Sequence, residues 1–292
     1  MDANGLLVVD KDPGPTSHRI VSLARNLLGA KVGHTGTLDP LASGVLPLVV
    51  GNATRLSRFF LASQKEYQAD IRLGTETDTY DAEGKIVSEQ EVPDISPIEA
   101  ARILERYTGD ILQLPPMFSA IRVDGERLYK AARREEIKER AKRKVTISEL
   151  EMVEQGKDKW TLRVVCSAGT YIRSLAHDLG RELGCGGHVE SLRRLRSGRY
   201  DLSNSVKVEE IEAQWRDKII PTGDLLPELP AVDLSEIQAT RIRHGNEMPV
   251  EDLQREGLSC EGFCRLVWEG QLLALGEFNG EIVRPKIVLV TG

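Results

Sequence analysis

Long apolar runs are missing from this 292-residue chain. No stretch approaches the roughly eighteen residues a membrane helix requires, and residues 1–20 lack a signal-peptide core, so no membrane association and a cytoplasmic location are expected. Cysteine is scarce as well. Cys166, Cys185, Cys260 and Cys264 are scattered, which argues against a disulfide framework and for a reducing compartment. Cys260 and Cys264 stand four apart with no second pair or nearby histidine, too few ligands for tetrahedral zinc, and no metal is expected. Internal repeats and low-complexity tracts are absent. With 40% hydrophobic and 29% charged residues, the composition suits a globular protein of one large domain plus a small one.

An overall basic charge is also lacking: the formal net charge is −6. Its distribution is uneven. Residues 1–200 carry 30 basic and 28 acidic side chains, whereas residues 201–292 carry 9 and 17. Residues 122–144 hold ten Lys/Arg against five Asp/Glu, and Arg193, Arg194, Arg196 and Arg199 cluster tightly. Phosphate backbones respond to such local patches, whereas total charge mainly governs solubility. Charge runs are ordinarily solvated helix faces. Two of them in one chain favour a nucleic-acid-facing reading.

What stands out is residues 33–47, Gly-His-Thr-Gly-Thr-Leu-Asp-Pro-Leu-Ala-Ser-Gly-Val-Leu-Pro. Gly33, Gly36, Gly44 and Pro40 hold the backbone in an unusual path around one carboxylate, Asp39. The apolar run 45–50 that follows predicts a buried strand, hence a rigid base for the loop. An isolated Asp-Pro would be an ordinary turn; this whole string is not.

The string resembles the active-site motif of TruB-type tRNA pseudouridine synthases, and five further segments agree in order. They are Lys11-Asp12-Pro13-Gly14-Pro15-Thr16-Ser17; Lys65-Glu66-Tyr67; Pro116-Met117-Phe118-Ser119-Ala120 with Gly125-Glu126-Arg127-Leu128-Tyr129; Gly169-Thr170-Tyr171-Ile172-Arg173; and Gly187-His188-Val189-Glu190-Ser191-Leu192-Arg193-Arg194. The match spans roughly the first 215 residues, and six motifs in order outweigh any single one.

The sequence pattern predicts strands over 5–9, 45–50, 66–73, 110–114, 117–123, 144–154, 159–167 and 187–198. Helices are predicted from a Thr16 or Ser17 cap to about 29, from an Asn52 cap to 61, over 97–107, and from Thr170 to 183. The first helix should bury Ile20, Leu23, Ala24, Leu27 and Leu28. The basic segment 122–144 should be partly helical and mobile. Short connections between successive strands give an α+β class with a mixed, mostly antiparallel sheet. The resemblance supplies the topology, a central sheet with the cleft across its middle. Pro221, Pro227 and Pro230 and the shift in charge place a boundary near 226, giving domains 1–226 and 227–292. The second should be a small β-rich module with strands near 272–275 and 287–290, and by position the resemblance implies a PUA-like RNA-binding domain.

Pseudouridylation breaks the ribose–N1 bond, turns the uracil and rejoins the ribose to C5, with no metal, nucleotide or redox cofactor. A carboxylate nucleophile suits that split, because a covalent adduct retains one fragment while the other rotates. The resemblance assigns Asp39 as nucleophile, Arg173 as the cation that keeps it ionised, and Tyr67 as the aromatic that stacks on an extruded uracil and assists loss of the C5 proton. Attack at C1′, attack at C6 and an elimination route all remain open. By the same resemblance His34 replaces the flipped base in the RNA stack, Leu192 packs on the base, and Lys11 supports the active-site loop. Arg193 and Tyr171 complete the expected substrate-binding set. Asp12 departs from the proline common after that lysine. The implied substrate is the tRNA T-loop uridine, conventionally position 55, and a monomer is expected.

A second reading, an RNA-binding or tRNA-folding factor in which catalysis is secondary, needs only the basic patches and the C-terminal module. The joint presence of Asp39, Tyr67 and Arg173 separates the two. A glycoside hydrolase would need a second acid near Asp39, and the motif offers none.

Overall fold

The computed structural model describes residues 3–132, 134, 136, 138–249, 251 and 261–289. A ten-stranded sheet forms the centre, in the order Val206–Lys207, Gly5–Lys11, Ser43–Val50, Gly187–Ser197, Lys65–Leu73, Lys159–Cys166, Arg143–Gln155 and Gly109–Gln113. Val32–His34 pairs with Ser43–Val50, and Tyr200–Asp201 with Gly187–Ser197, at the side of this path. Parallel pairing occurs where Val206–Lys207 meets Gly5–Lys11 and where Gly187–Ser197 meets Ser43–Val50; the remaining pairs are antiparallel.

Each principal helix lies against one face of this sheet because its sequence gives it one apolar stripe. In Ser17–Leu28 the Thr16 side chain accepts from Arg19 N, and Gly29 closes the helix at φ 60°. Ile20, Val21 and Ala24 are buried there, while Leu23, expected inside, is exposed. Val21, three residues before Ala24 on the same stripe, is buried instead. Ile103 and Leu104 of Pro97–Arg106 and Leu175, Ala176 and Leu179 of Ile172–Glu182 join the same core. Opposite them stand Ala69, Ile71, Leu162 and Val164 from the middle of the sheet. The two sets enclose the main core.

Four local expectations need correction. Asn52 does not cap a helix. A 3-10 turn, Gly51–Leu56, starts there without a side-chain cap, and Asn52 N donates to Asn4 Oδ1 before the short helix Ser57–Leu61. The strand expected over 117–123 shrinks to Arg122–Val123, paired with Glu126–Arg127 across a Gly125 turn. The helix expected from Thr170 begins at Ile172, with Tyr171 as its N-cap. In the expected strand 287–290, Val290 lies outside the described residues; the strand itself runs Ile282–Val288. Within the basic segment, Leu128–Ala132 is helical, and residues 133, 135 and 137 lie outside the described residues.

Toward the C-terminus a five-stranded sheet runs Ala231–Asp233, Gly262–Trp268, Gln271–Phe278, Ile282–Val288 and Met248–Pro249. Its Leu272, Leu275 and Ile287 pack with Leu6, Val8, Val45 and Val49 on the second face of the central sheet. Phe59 and Phe263 meet edge to face at 5.1 Å across that contact. The first strands are therefore buried on both faces, which is why residues 6–9 of Gly5–Lys11 read as an unbroken apolar run.

Gly44 fixes the crossing that carries the Asp39 loop. Its φ is 100°, and a Cβ there would lie 2.2 Å from Arg194 O, where two strands run parallel. Gly44→Ala should destabilise the fold by about 2–5 kcal/mol, through strained backbone and overpacking together. Urea denaturation would measure this, with the midpoint moving to lower urea.

Candidate active site

Asp39 sits in a loop that ends on a strand and is tied from outside at almost every residue. Thr35 N donates to Pro47 O at 3.1 Å. The Ser17 hydroxyl donates to Leu38 O at 2.9 Å and accepts from Leu38 N at 2.8 Å. Lys11, wholly buried, donates to Asp12 O, Pro40 O and Ala42 O at 2.9, 3.2 and 2.6 Å. Three carbonyl acceptors match the three protons of an ammonium, so the loop is best held while Lys11 is charged. Burial nevertheless pushes its pKa down to about 8, with Asp39 and Asp12 pulling the other way.

Arg194 is the largest of these ties. It is 1% exposed, and its guanidinium donates to Val45 O at 2.7 Å, Gly36 O at 3.1 Å and Thr37 O at 3.5 Å. Strand alternation puts Arg194 and Leu192 on the face shared with Tyr67 and Ala69, their cross-strand partners. Leu192 is buried there, and Tyr67 is half-buried. Burial raises the Tyr67 pKa against the pull of Arg194, so the group stays a protonated phenol at neutral pH.

Arg173 lies in the first turn of Ile172–Glu182, only 4% exposed. Gln113 fixes the start of that helix by accepting from Tyr171 N at 2.7 Å and donating to Tyr171 O at 2.9 Å. Arg173 Nη2 donates to Asp39 Oδ1 at 3.2 Å, and its Nε stands off-axis 3.0 Å from Oδ2. The same guanidinium reaches Asp81 Oδ2 at 3.2 Å, Thr79 O at 3.1 Å and Phe118 O at 2.9 Å. The Asp39 side chain keeps 32% of its surface open. Burial pushes its pKa above the ordinary carboxylate value, Arg173 draws it down, and Asp81 pushes it up again. The open edge and the two-point guanidinium contact keep it a carboxylate at neutral pH.

His34 caps its own turn, with Nδ1 accepting from Gly36 N at 3.3 Å. Burial, Arg194 and His18 lower its pKa, which leaves a neutral ring at pH 7. Arg193 points to the other face of the strand and is ion-paired with Asp10 at 3.1 Å, with Ser43 Oγ at 3.3 Å. This corrects the expectation of a second basic patch. Alternation splits the arginines between two faces: Arg194 is internal, Arg193 is held by Asp10, and Arg196 is held by Glu66 at 2.9 Å. In the basic segment, Arg134 and Lys138 are paired with Glu126, and Lys144 with Asp110.

Residues not anticipated are Asp81, Thr79, Ser17 and Arg194 in its structural role. The absence of a second acid near Asp39 also fails. Asp81 lies across Arg173, and Glu83 is near enough for Asp81 and Asp39 to help burial raise its pKa. Asp81, however, has both oxygens occupied, one by Arg173 and the other by Thr79 Oγ1 at 2.6 Å and Glu83 N at 3.1 Å. Among the described residues no group of His, Cys, Asp and Glu is arranged to hold a metal ion. Cys264 is buried, donating to Gly276 O, and Cys260 lies outside the described residues.

The two adjacent arginines should separate cleanly. Arg194→Met leaves two loop carbonyls and that of Val45 without this donor and should cost roughly 3–5 kcal/mol. Arg193→Ala breaks a partly exposed pair whose carboxylate retains Lys207, and should cost about 1 kcal/mol or less. Chemical denaturation of the two variants side by side checks the contrast.

Comparison with known proteins gives the family. Residues 25–172 match the TruB family pseudouridylate synthase N-terminal domain. Residues 173–240 match the tRNA pseudouridylate synthase B C-terminal domain, and residues 230–289 the C-terminal region of pseudouridine synthase II TruB. The tRNA pseudouridine synthase B of Azoarcus sp. (strain BH72) is 41% identical over 99% of this chain and 95% of its own length. That of Dechloromonas aromatica (strain RCB) is 43% identical over 97% and 94%. Among solved structures, a Cbf5–Nop10–Gar1 complex aligns at TM-score 0.75 and 26% identity, covering 98% of this chain and 85% of the other. A further one, an H/ACA RNP bound to a substrate RNA containing 2′-deoxyuridine, aligns at TM-score 0.72 and 25% identity, covering 98% and 85%. The chain belongs to the TruB family of pseudouridine synthases.

Proposed function

We propose that this chain converts a uridine of tRNA to pseudouridine, and that its target is the T-loop uridine, position 55. The observation that carries the reading is the Asp39 carboxylate, open along one edge and gripped at two points by a buried guanidinium. Asp39 acts as the nucleophile that retains one fragment after the ribose–N1 bond breaks. The uracil turns, C5 joins the ribose, and the C5 proton leaves, so the product is an isomer of the substrate. No atom is exchanged except protons, and none of these steps asks for a redox or nucleotide cofactor.

Arg173 orients Asp39 and keeps it ionised. Tyr67 offers its ring to the uracil; as a phenol it acts by stacking and hydrogen bonding rather than as a phenolate base. Leu192 forms the apolar wall beside it. A neutral His34 at the loop mouth suits insertion between bases, since a stacking ring need not carry charge. Lys11 and Tyr171 act from behind, one on the loop and one at the helix start. Arg193, although paired with Asp10, keeps part of its side chain exposed to meet a phosphate. In the same proposal the catalytic domain spans residues 1–226, the PUA-like module 227–292 carries further RNA contacts, and the basic segment 122–144 closes on the stem. The enzyme works as a cytoplasmic monomer. No helix among the described residues is long and apolar enough to cross a membrane.

Asp39→Asn should abolish pseudouridine formation on an unmodified tRNA transcript while leaving the tRNA dissociation constant within about threefold, since the amide keeps the shape and loses the nucleophile. Turnover near the wild-type rate would sink the assignment. A transcript lacking the T-loop uridine tests the position.

The single-turnover rate against pH should be bell-shaped. On acidification Asp39 protonates at a pH above its ordinary 3.8, because its folded value is raised, so the acid limb lies above that of a free aspartate. On the basic side Lys11 deprotonates through about 8, loses one of its three donors and loosens the loop. Lys11→Met should remove that basic limb.

A further inference from the structure

The Ile172–Glu182 helix meets the 77–81 turn at two points, one helical turn apart. Arg173 takes Thr79 O and the Asp81 carboxylate. His177, four residues on, lays its ring on Tyr80 with centroids 3.9 Å apart and 15° between planes. Side chains at that spacing share a helix face. One face of one helix thus engages three consecutive residues of the turn.

The turn is bent to allow it. Tyr80 has φ 63°, a left-handed conformation that an aromatic residue rarely adopts without compensation from its surroundings. With that bend, the Thr79 carbonyl and the Asp81 carboxylate both face the guanidinium, while the ring between them turns toward His177. The remaining bonds of the turn are local or go to the sheet. Tyr80 N donates to Thr77 O at 3.2 Å, Thr77 Oγ1 to Asp81 O at 2.7 Å, and Val189 N to Tyr80 O at 3.0 Å. These bonds hold the backbone of the turn and do not touch the Tyr80 ring. The stack with His177 engages that ring, and Glu76 Oε1 stands 3.1 Å from His177 Nδ1, off the line a hydrogen bond needs.

We propose that Tyr80 and His177 are positioning residues for the isomerisation: their stack holds the 77–81 turn so that Thr79 and Asp81 keep Arg173 in two-point contact with Asp39. The assignment rests on the uridine-isomerising reading of the site. Neither ring touches the reacting atoms, and both act through Arg173.

The test pairs steady-state kinetics on an unmodified tRNA transcript with crystal structures of His177→Ala, Tyr80→Gly and Tyr80→Phe, each first shown to be folded by its thermal midpoint. Glycine accepts the left-handed backbone, so Tyr80→Gly removes the ring without adding strain. Losing a stacked pair should lower kcat about threefold to tenfold in both His177→Ala and Tyr80→Gly. The KM for tRNA should stay within about twofold, because the loss falls on the reacting centre rather than on tRNA binding. Tyr80→Phe keeps the stack and should retain the wild-type rate. In the slow variants Arg173 should have left its two-point contact with Asp39. Wild-type kcat in both stack-deleted variants, a change confined to KM, or an unmoved Arg173 would overturn the proposal. Should the wild-type protein form no pseudouridine, the functional reading fails by itself. The crystal structures then still decide the positioning claim, since a displaced Arg173 supports it and an unmoved one overturns it.

Discussion

One buried guanidinium, that of Arg173, holds the centre of this molecule together. It is surrounded by Asp39, Asp81 and the carbonyls of Thr79 and Phe118, so segments from three distant parts of the chain converge on a single cation. A buried charge is costly unless it is paired and hydrogen-bonded, and here each acceptor reduces that cost. Position in the helix does not explain it, because the positive N-terminal end of the dipole repels a cation in the first turn. The two carboxylates outweigh that repulsion. Two anions around one cation also prevent Asp39 from being over-stabilised: Arg173 favours its ionised form, while burial and Asp81 disfavour it. A carboxylate in that balance stays charged yet keeps electron density to donate.

A second constraint is the path of the Asp39 loop. A loop cannot bury its carbonyls without donors, and here the donors come from the first strand, the first helix and the Gly187–Ser197 strand. Lys11 and Arg194 are both buried cations that bind neither a carboxylate nor solvent; they are used on backbone oxygens. Such bonds are directional, so they fix the loop's shape more than its net charge. Asp39 is thereby held at a rigid edge although it lies on irregular backbone.

How legible was this in the chain? The Asp39 loop could be found because glycine and proline density records a strained path directly, and Arg173 because its motif is local. The strand that carries Tyr67 follows from the alternation of residues 66–73. Asp81 was hidden because Thr-Asp-Thr-Tyr-Asp reads as an acidic, solvated turn, and nothing local shows that a distant arginine will claim it. The role of Arg194 is hidden for a related reason. Four arginines close together in sequence look like one patch, but a strand sends neighbours to opposite faces, and pairing decides their fate. Asn52 belongs to the same class: Asn4, forty-eight residues earlier, accepts its backbone N–H within the Gly51–Leu56 turn, a contact no local pattern shows.

That redistribution of arginines bears on how an acidic protein would hold RNA in the proposed function. Arg163 and Arg196 converge on Glu66, Arg193 on Asp10, and Lys159 on Asp70 and Glu190, across one face of the sheet. Cations engaged this way form a near-neutral lattice, and an exposed member of such a pair exerts little long-range pull on phosphate. Affinity from counterion release alone would then be modest for a chain of net charge −6. The recognition that remains is steric: a folded loop must present its uridine at the open edge of Asp39, and an RNA without that shape gains little from the surface charge. On this account selectivity comes from the rigidity of the loop, and Arg194, which makes the loop rigid, is the member of the arginine cluster that is fully withdrawn from the surface.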